Sequence, residues 1–155
     1  MNKKAYKDQE KEFQAHRQFQ RMYFKANDMD FAFQWLMGSA VHGGAGIGES
    51  FYAASRIRNG DPASWEREWA ALAERVRVRG ENALKAGHIV SGREALMRAT
   101  AYYRVILASM QPGAPGFKPT VAWMRDCFYK GSSLLENPVE KIGIPFEGVV
   151  LPGYF

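Results

Sequence analysis

The chain is 155 residues long, enough for one core of ordinary size, and its 46% hydrophobic and 14% aromatic content excludes a disordered segment. Its net charge of +5 is concentrated at the start: residues 1–25 carry seven Lys or Arg against three Asp or Glu, a balance of +4. The rest is nearly neutral, which disfavours a nucleic-acid-binding bundle; nucleic acid is not an expected partner.

One cysteine, Cys127, excludes an internal disulfide and fits a reducing compartment. The sequence has neither an apolar run long enough to span a bilayer nor a signal-peptide core, so the expectation is a cytoplasmic protein with no membrane partner.

Residues 4–24 predict a charged helix, part of a basic N-terminal segment over 1–28. Asn27-Asp28 predicts the start of a second helix, Met29 to about Val41, apolar on most sides and therefore suited to burial between others. Gly43-Gly44-Ala45-Gly46-Ile47-Gly48 interrupts it, and a short helix over Glu49–Ile57 follows.

Asp61-Pro62 is an N-cap acceptor followed by proline in the first turn, opening the clearest helix of the chain. Trp65, Trp69, Leu72 and Val76 fall on one stripe of it, and Gly87-His88 ends it. Ser91-Gly92-Arg93-Glu94 has the pattern of a capping box for the next helix, whose inner stripe is Ala95, Leu96, Ala99, Tyr102, Tyr103, Ile106 and Leu107. A Pro/Gly loop at 111–116 precedes a last helix, about 119–135. Short loops imply antiparallel packing of consecutive helices.

Residues 139–155 predict a β-hairpin punctuated by Pro145, Gly148, Pro152 and Gly153. A lone two-stranded ribbon is marginal in water, so the hairpin is expected to begin a larger sheet. The expected fold is mainly α: an antiparallel helical cap region over 29–136, then the hairpin over 137–155, with the remaining sheet outside this chain.

No G-x-S-x-G elbow, phosphate loop or metal-binding spacing occurs, and His16, His42 and His88 are scattered. The sequence therefore supplies no catalytic residue, metal ligand or cofactor site, and the chain alone is expected to be inactive. The glycine cluster fits a sharp bend requiring positive φ, which is the favoured reading, or a backbone that approaches a ligand closely. His42, Gly43, Gly44, Glu49, Ser50 and Tyr52 are the candidate substrate-binding residues, since they join that bend to polar and aromatic groups hard to place in a helical core.

The order of Gly43-Gly44-Ala45-Gly46, Gly48-Glu49, Ala54-Ser55-Arg56-Ile57, Gly60-Asp61, Ser64-Trp65, Glu68-Trp69, Gly87-His88, Ser91 to Ala95, Arg98-Ala99 and Tyr102-Tyr103-Arg104 resembles the N-terminal helical region of certain α/β-hydrolases. These are the FrsA-like and 2,6-dihydropseudooxynicotine-hydrolase-like enzymes, which include fungal polyketide-shortening hydrolases. Ile144 to Gly148 and Leu151 to Phe155 resemble the first hairpin of their catalytic domain, while Gly46 stands where that group has an acidic residue.

The resemblance implies the cap, substrate-pocket and dimerisation part of a serine-type hydrolase. The reaction would cleave a C–C, ester or amide bond next to a carbonyl. Implied partners are a catalytic domain in the same or a second polypeptide, a small carbonyl substrate and a second copy. The alternative is a stand-alone helical protein-interaction module, since the helices over 62–87 and 91–110 look like one helical repeat, although no second copy follows.

Overall fold

Two irregular backbone segments, each pinned by a side-chain carbonyl or carboxylate, set where the first helix begins. The computed structural model describes residues 20–155; the predicted helix up to residue 19, with His16, lies outside the described residues. Residues 20–26 are not helical, contrary to the expected helix through 24. The reason is Asp30, which is fully buried and accepts the backbone N–H groups of Met22, Tyr23 and Phe24 at 3.0, 2.7 and 2.8 Å. Asn59 Oδ1 accepts those of Lys25 and Ala26 at 2.6 and 2.9 Å. A backbone whose donors are satisfied by side chains has no need of helical bonding.

Helix α1 spans Asn27–Gly38, and a 3₁₀ turn, Ser39–His42, continues it to Gly43. Helix α2 spans Ile47–Arg56, α3 Pro62–Lys85, α4 Ile89–Ile106 and α5 Phe117–Ser132. The Asp61 cap of α3 is formed, with its carboxylate accepting the Ala63 N–H at 3.1 Å. At its far end Gly87 adopts φ +81°, with His88 N–H bonded to Ala83 O and Gly87 N–H to Leu84 O. This paired closure with a left-handed glycine is a Schellman turn.

That turn also explains why the expected capping box does not form. The chain leaves Gly87 already aimed into α4, which starts at Ile89 with no side-chain cap. Ser91 and Glu94 therefore sit inside the helix, both exposed.

Helices α3 and α4 run antiparallel: Trp65 Nε1 donates to Val105 O at 2.9 Å near one end, and Gly80 meets Leu96 and Ala95 near the other. Between them Trp65, Trp69, Leu72, Val76, Ala99, Tyr102, Tyr103 and Ile106 are all buried, as the two stripes predict. Leu107 is only half-buried, and Val105 takes the inner position instead. Phe24 and Phe33 close the aromatic stack against Trp65 and Trp69. Helix α5 packs antiparallel on α4, with Gly131 against Met97 and the Arg93 carbonyl.

Glycine lets these backbones approach. A Cβ on Gly92 would run into Leu84 and lie 3.1 Å from the Gly80 carbonyl oxygen. Gly92→Ala is therefore expected to lower stability by about 1–2 kcal/mol despite alanine's better helix propensity. Gly48, in the first turn of α2, has open space around it, and Gly48→Ala should be neutral or stabilising by up to about 1 kcal/mol. Urea midpoints for the pair check this contrast.

The hairpin consists of β1 (Lys141–Phe146) and β2 (Val149–Tyr154), antiparallel, from Phe146 opposite Val149 to Lys141 opposite Tyr154. Its two-residue turn, Glu147-Gly148, has φ of +45° and +82°, the sign at both positions that suits the right-handed twist of the strands. Of the four expected punctuation residues only Gly148 turns the chain. Pro145, Pro152 and Gly153 lie within the strands, as edge strands permit.

Tyr154 packs edge-on to Phe128 at 5.0 Å, and Lys141 Nζ sits 3.5 Å above the Tyr129 ring. Ile142, Ile144, Phe146, Val149, Val150, Leu151 and Phe155 are exposed. Both strands are thus edges, and no other strand among the described residues pairs with them.

Candidate functional site

The bend joining α1 to α2 is built from glycine where the backbone requires it. Gly43 ends the 3₁₀ turn at φ +74°, a left-handed conformation costly for most other residues. Gly44 N–H donates to Ser39 O at 2.9 Å, and a Cβ there would lie 2.7 Å from Ser39 Oγ.

One hydrogen-bonded chain then ties the bend to α4. Gly46 N–H donates to the Tyr102 hydroxyl oxygen at 2.7 Å, and that hydroxyl donates to Glu49 Oε1 at 2.7 Å. Arg98 Nε lies 3.4 Å from the same carboxylate oxygen, and Arg79 Nη1 lies 3.8 Å from the other. Burial, helped by the Glu49 carboxylate and opposed by the Gly46 N–H, pushes the Tyr102 phenol up to about 12. It is therefore a neutral donor at ordinary pH, fixing the Glu49 carboxylate between two guanidinium groups. This arrangement is suited to holding the bend and orienting the start of α2. Tyr102→Phe removes one donor and one acceptor and is expected to cost about 1–3 kcal/mol, read from thermal unfolding.

The six sequence-derived residues are neighbours in the chain but do not converge. His42 and Gly43 are exposed, Gly44 is half-buried, and Glu49 turns toward α4. Ser50 is fully buried, and its Oγ has no hydrogen-bond partner among the described residues. Tyr52 is exposed, with the Arg56 guanidinium 5.9 Å from its ring centre. Tyr102 was legible as a stripe residue of α4, and Arg98 only as part of the series that resembles the hydrolase helical region. Nothing local signals a pairing across 53 positions.

A groove of about 940 Å³ lies elsewhere, bounded by α1, α4, α5 and β2. Phe31, Trp35, Arg104, Arg125, Phe128 and Tyr154 are among its lining residues, and none of the six is. The sequence did not reveal it, because α1 is apolar on most sides and reads as a helix buried between others. Ala32, Phe33 and Leu36 do face the core, whereas Phe31 and Trp35, four apart, are 64% and 46% exposed. A second groove, of about 700 Å³, includes Arg21, Lys25, Met29 and Trp65.

Cys127 is buried beside Tyr103, and burial first, then Asp126, pushes its thiol up to about 12, so it is no nucleophile at neutral pH. Among the described residues no group of three His, Cys, Asp or Glu is placed to hold a metal ion, and no helix is long and apolar enough to cross a membrane.

No protein-family model matches the chain. It is similar to a hydrolase, ORFZ, of Pyricularia oryzae, at 37% identity over 81% of this chain and 31% of that protein. It is also similar to the alpha/beta hydrolase pydG of an Acremonium species, at 36% identity over 81% of this chain and 30% of that protein. A 20-hydroxy-prefusarin hydrolase of Gibberella moniliformis matches at 32% identity over 84% and 32%, respectively. The chain thus has homologues that carry hydrolase names, and it spans about a third of the length of these curated relatives.

Proposed function

We propose that this chain is the cap, substrate-pocket and dimerisation part of a serine-type α/β-hydrolase whose nucleophile, acid and histidine lie outside these 155 residues. The observation that carries the reading is the pattern of coverage. Proteins named hydrolases align with four-fifths of the chain or more, yet the chain accounts for only about a third of each. The hairpin supports the same reading, because two apolar strands with open edges and an exposed face are what a larger sheet would extend and cover.

The substrate would be a small molecule cleaved at a C–C, ester or amide bond next to a carbonyl. A helical cap contributes to such chemistry by excluding water and orienting the substrate against a nucleophile held elsewhere. In this reading the glycine bend faces the substrate: His42, Gly43 and Tyr52 offer the exposed surface beside half-buried Gly44, while the Glu49–Tyr102 link fixes its shape. Glu49→Gln weakens both guanidinium contacts and should raise KM by about tenfold in the complete enzyme, with kcat less affected. Tyr52→Phe should shift substrate preference with little loss of stability. Unchanged kinetics in both variants would reduce the segment to a bend.

The wider reading is tested by the coding sequence beyond codon 155. An open frame or neighbouring gene that encodes G-x-S-x-G is the expected result, and a stop codon without such a neighbour would count against it.

A further inference from the structure

We propose that the groove between α1, α4, α5 and β2 binds an amphiphilic organic monoanion, its flat apolar body lying on Phe31, Trp35 and Phe128 and its carboxylate held by Arg104 and Arg125.

Four observations lead to this occupant. First, Phe31 and Trp35 are large aromatic groups left in the open on one side of a helix whose other side fills the core. Exposed aromatics gathered in a concavity mark a binding surface rather than a fold requirement. Second, the groove's volume of about 940 Å³ is that of a small-molecule site. Third, the Arg104 guanidinium stacks 4.0 Å over the Trp35 ring. The aromatic face holds the guanidinium by its cation–π attraction, and a guanidinium can bind a carboxylate in the two-pronged manner that lysine cannot reproduce.

Fourth, neither Arg104 nor Arg125 has a carboxylate within ion-pair distance among the described residues, whereas Arg56, Arg77 and Arg98 do. The one acidic residue lining the groove is Asp28, in the first turn of α1, where a helix favours negative charge. Two arginines against one aspartate leave a single positive charge, which matches a monoanion.

The groove is also independent of the glycine bend. At 100° per residue, Thr100 and Arg104 project from the side of α4 opposite Arg98 and Tyr102. The proposal goes beyond the cap reading and rests on helices present in this chain, so its failure would leave that reading standing, and the reverse.

The test uses the 155-residue chain with 2-naphthylacetate and its neutral amide as probes. Calorimetry at low salt measures affinity, and NMR shift mapping locates the contact. The acid is expected to bind about tenfold more tightly than the amide, with shifts at Trp35 Nε1–H and Arg104 Nε–H. In the Arg104→Gln/Arg125→Gln double variant the two affinities should become equal, while Trp35→Ala should weaken both probes in parallel. Equal affinity for acid and amide, an acid preference that survives the double variant, shifts centred elsewhere, or no binding of either probe at millimolar concentration would each overturn the proposal. Should the double variant misfold, the acid-to-amide ratio and the shift map of the unaltered chain still decide it.

Discussion

Truncating Trp69 to alanine is expected to destabilise the chain by about 3–5 kcal/mol, the largest effect of any single substitution here. The indole has no exposed surface and touches three other aromatic rings: Trp65 edge-on at 5.6 Å, Phe33 tilted at 6.2 Å and Tyr102 stacked at 6.1 Å. It thereby joins α1, α3 and α4, and its loss would leave a cavity at their junction. Domains of this size have about 5–15 kcal/mol in total, so the variant would lose a large share of its folded population. Trp69→Phe should cost far less, about 1–2 kcal/mol. The indole Nε1 has no hydrogen-bond partner among the described residues, so the smaller ring forfeits volume and no bond. Urea denaturation of both variants checks the ordering. Similar, small losses in both would place the packing centre elsewhere.

Asp30→Ala is expected to have the second largest effect, about 2–4 kcal/mol, because it leaves the N–H groups of Met22, Tyr23 and Phe24 without their acceptor. Gln34 Nε2 loses a partner at 2.7 Å as well. The effect should also depend on pH. Burial alone would raise the carboxyl's pKa, but the N–H groups of Tyr23 and Met22 and the Gln34 amide outweigh it and hold the group below its ordinary value of 3.8. The charged form is therefore favoured by folding, and the resulting stability is present in full above the unfolded-state pKa. It is lost as pH falls through the lower folded-state value. The stability gap between the wild type and Asp30→Asn should accordingly be constant near neutrality and narrow below about pH 4. A gap independent of pH down to 2 would mean that the carboxylate's charge contributes nothing to this turn.

These two residues also mark what the sequence could and could not reveal. Trp69 was legible because helical periodicity is a local signal, and the stripe Trp65, Trp69, Leu72 and Val76 has its complement on α4 at the expected spacing. The Asp61 cap, the Gly87 stop and the hairpin were legible for the same reason: each depends on residues within a few positions. Asp30 was not, because an aspartate inside a helix ordinarily reads as a solvated face, and only the path of residues 22–24 makes it an anchor. The capping box at Ser91–Glu94 was a false signal, overridden when the Gly87 turn delivered the chain to α4 three residues earlier, with His88 in the cap position.

At the candidate site, the bend at Gly43 was readable from composition, but the Tyr102 hydroxyl that fastens it comes from another helix. The exposed Phe31 and Trp35 went unread because an apolar residue carries no label saying whether it faces a core or a groove. Ala32, Phe33 and Leu36 between them hid the second face.

The proposal that these residues are the cap of a hydrolase with its nucleophile elsewhere has a direct consequence for the native protein. Treating that protein, isolated from its source, with a fluorophosphonate and measuring intact and peptide masses would reveal it. Residues 1–155 are expected to occur in a polypeptide or stable complex about three times their length, given a coverage of roughly a third of each relative. One adduct is expected, on a serine outside them. A native species of 17.5 kDa that takes no adduct, or an adduct on a serine within these 155 residues, would contradict it.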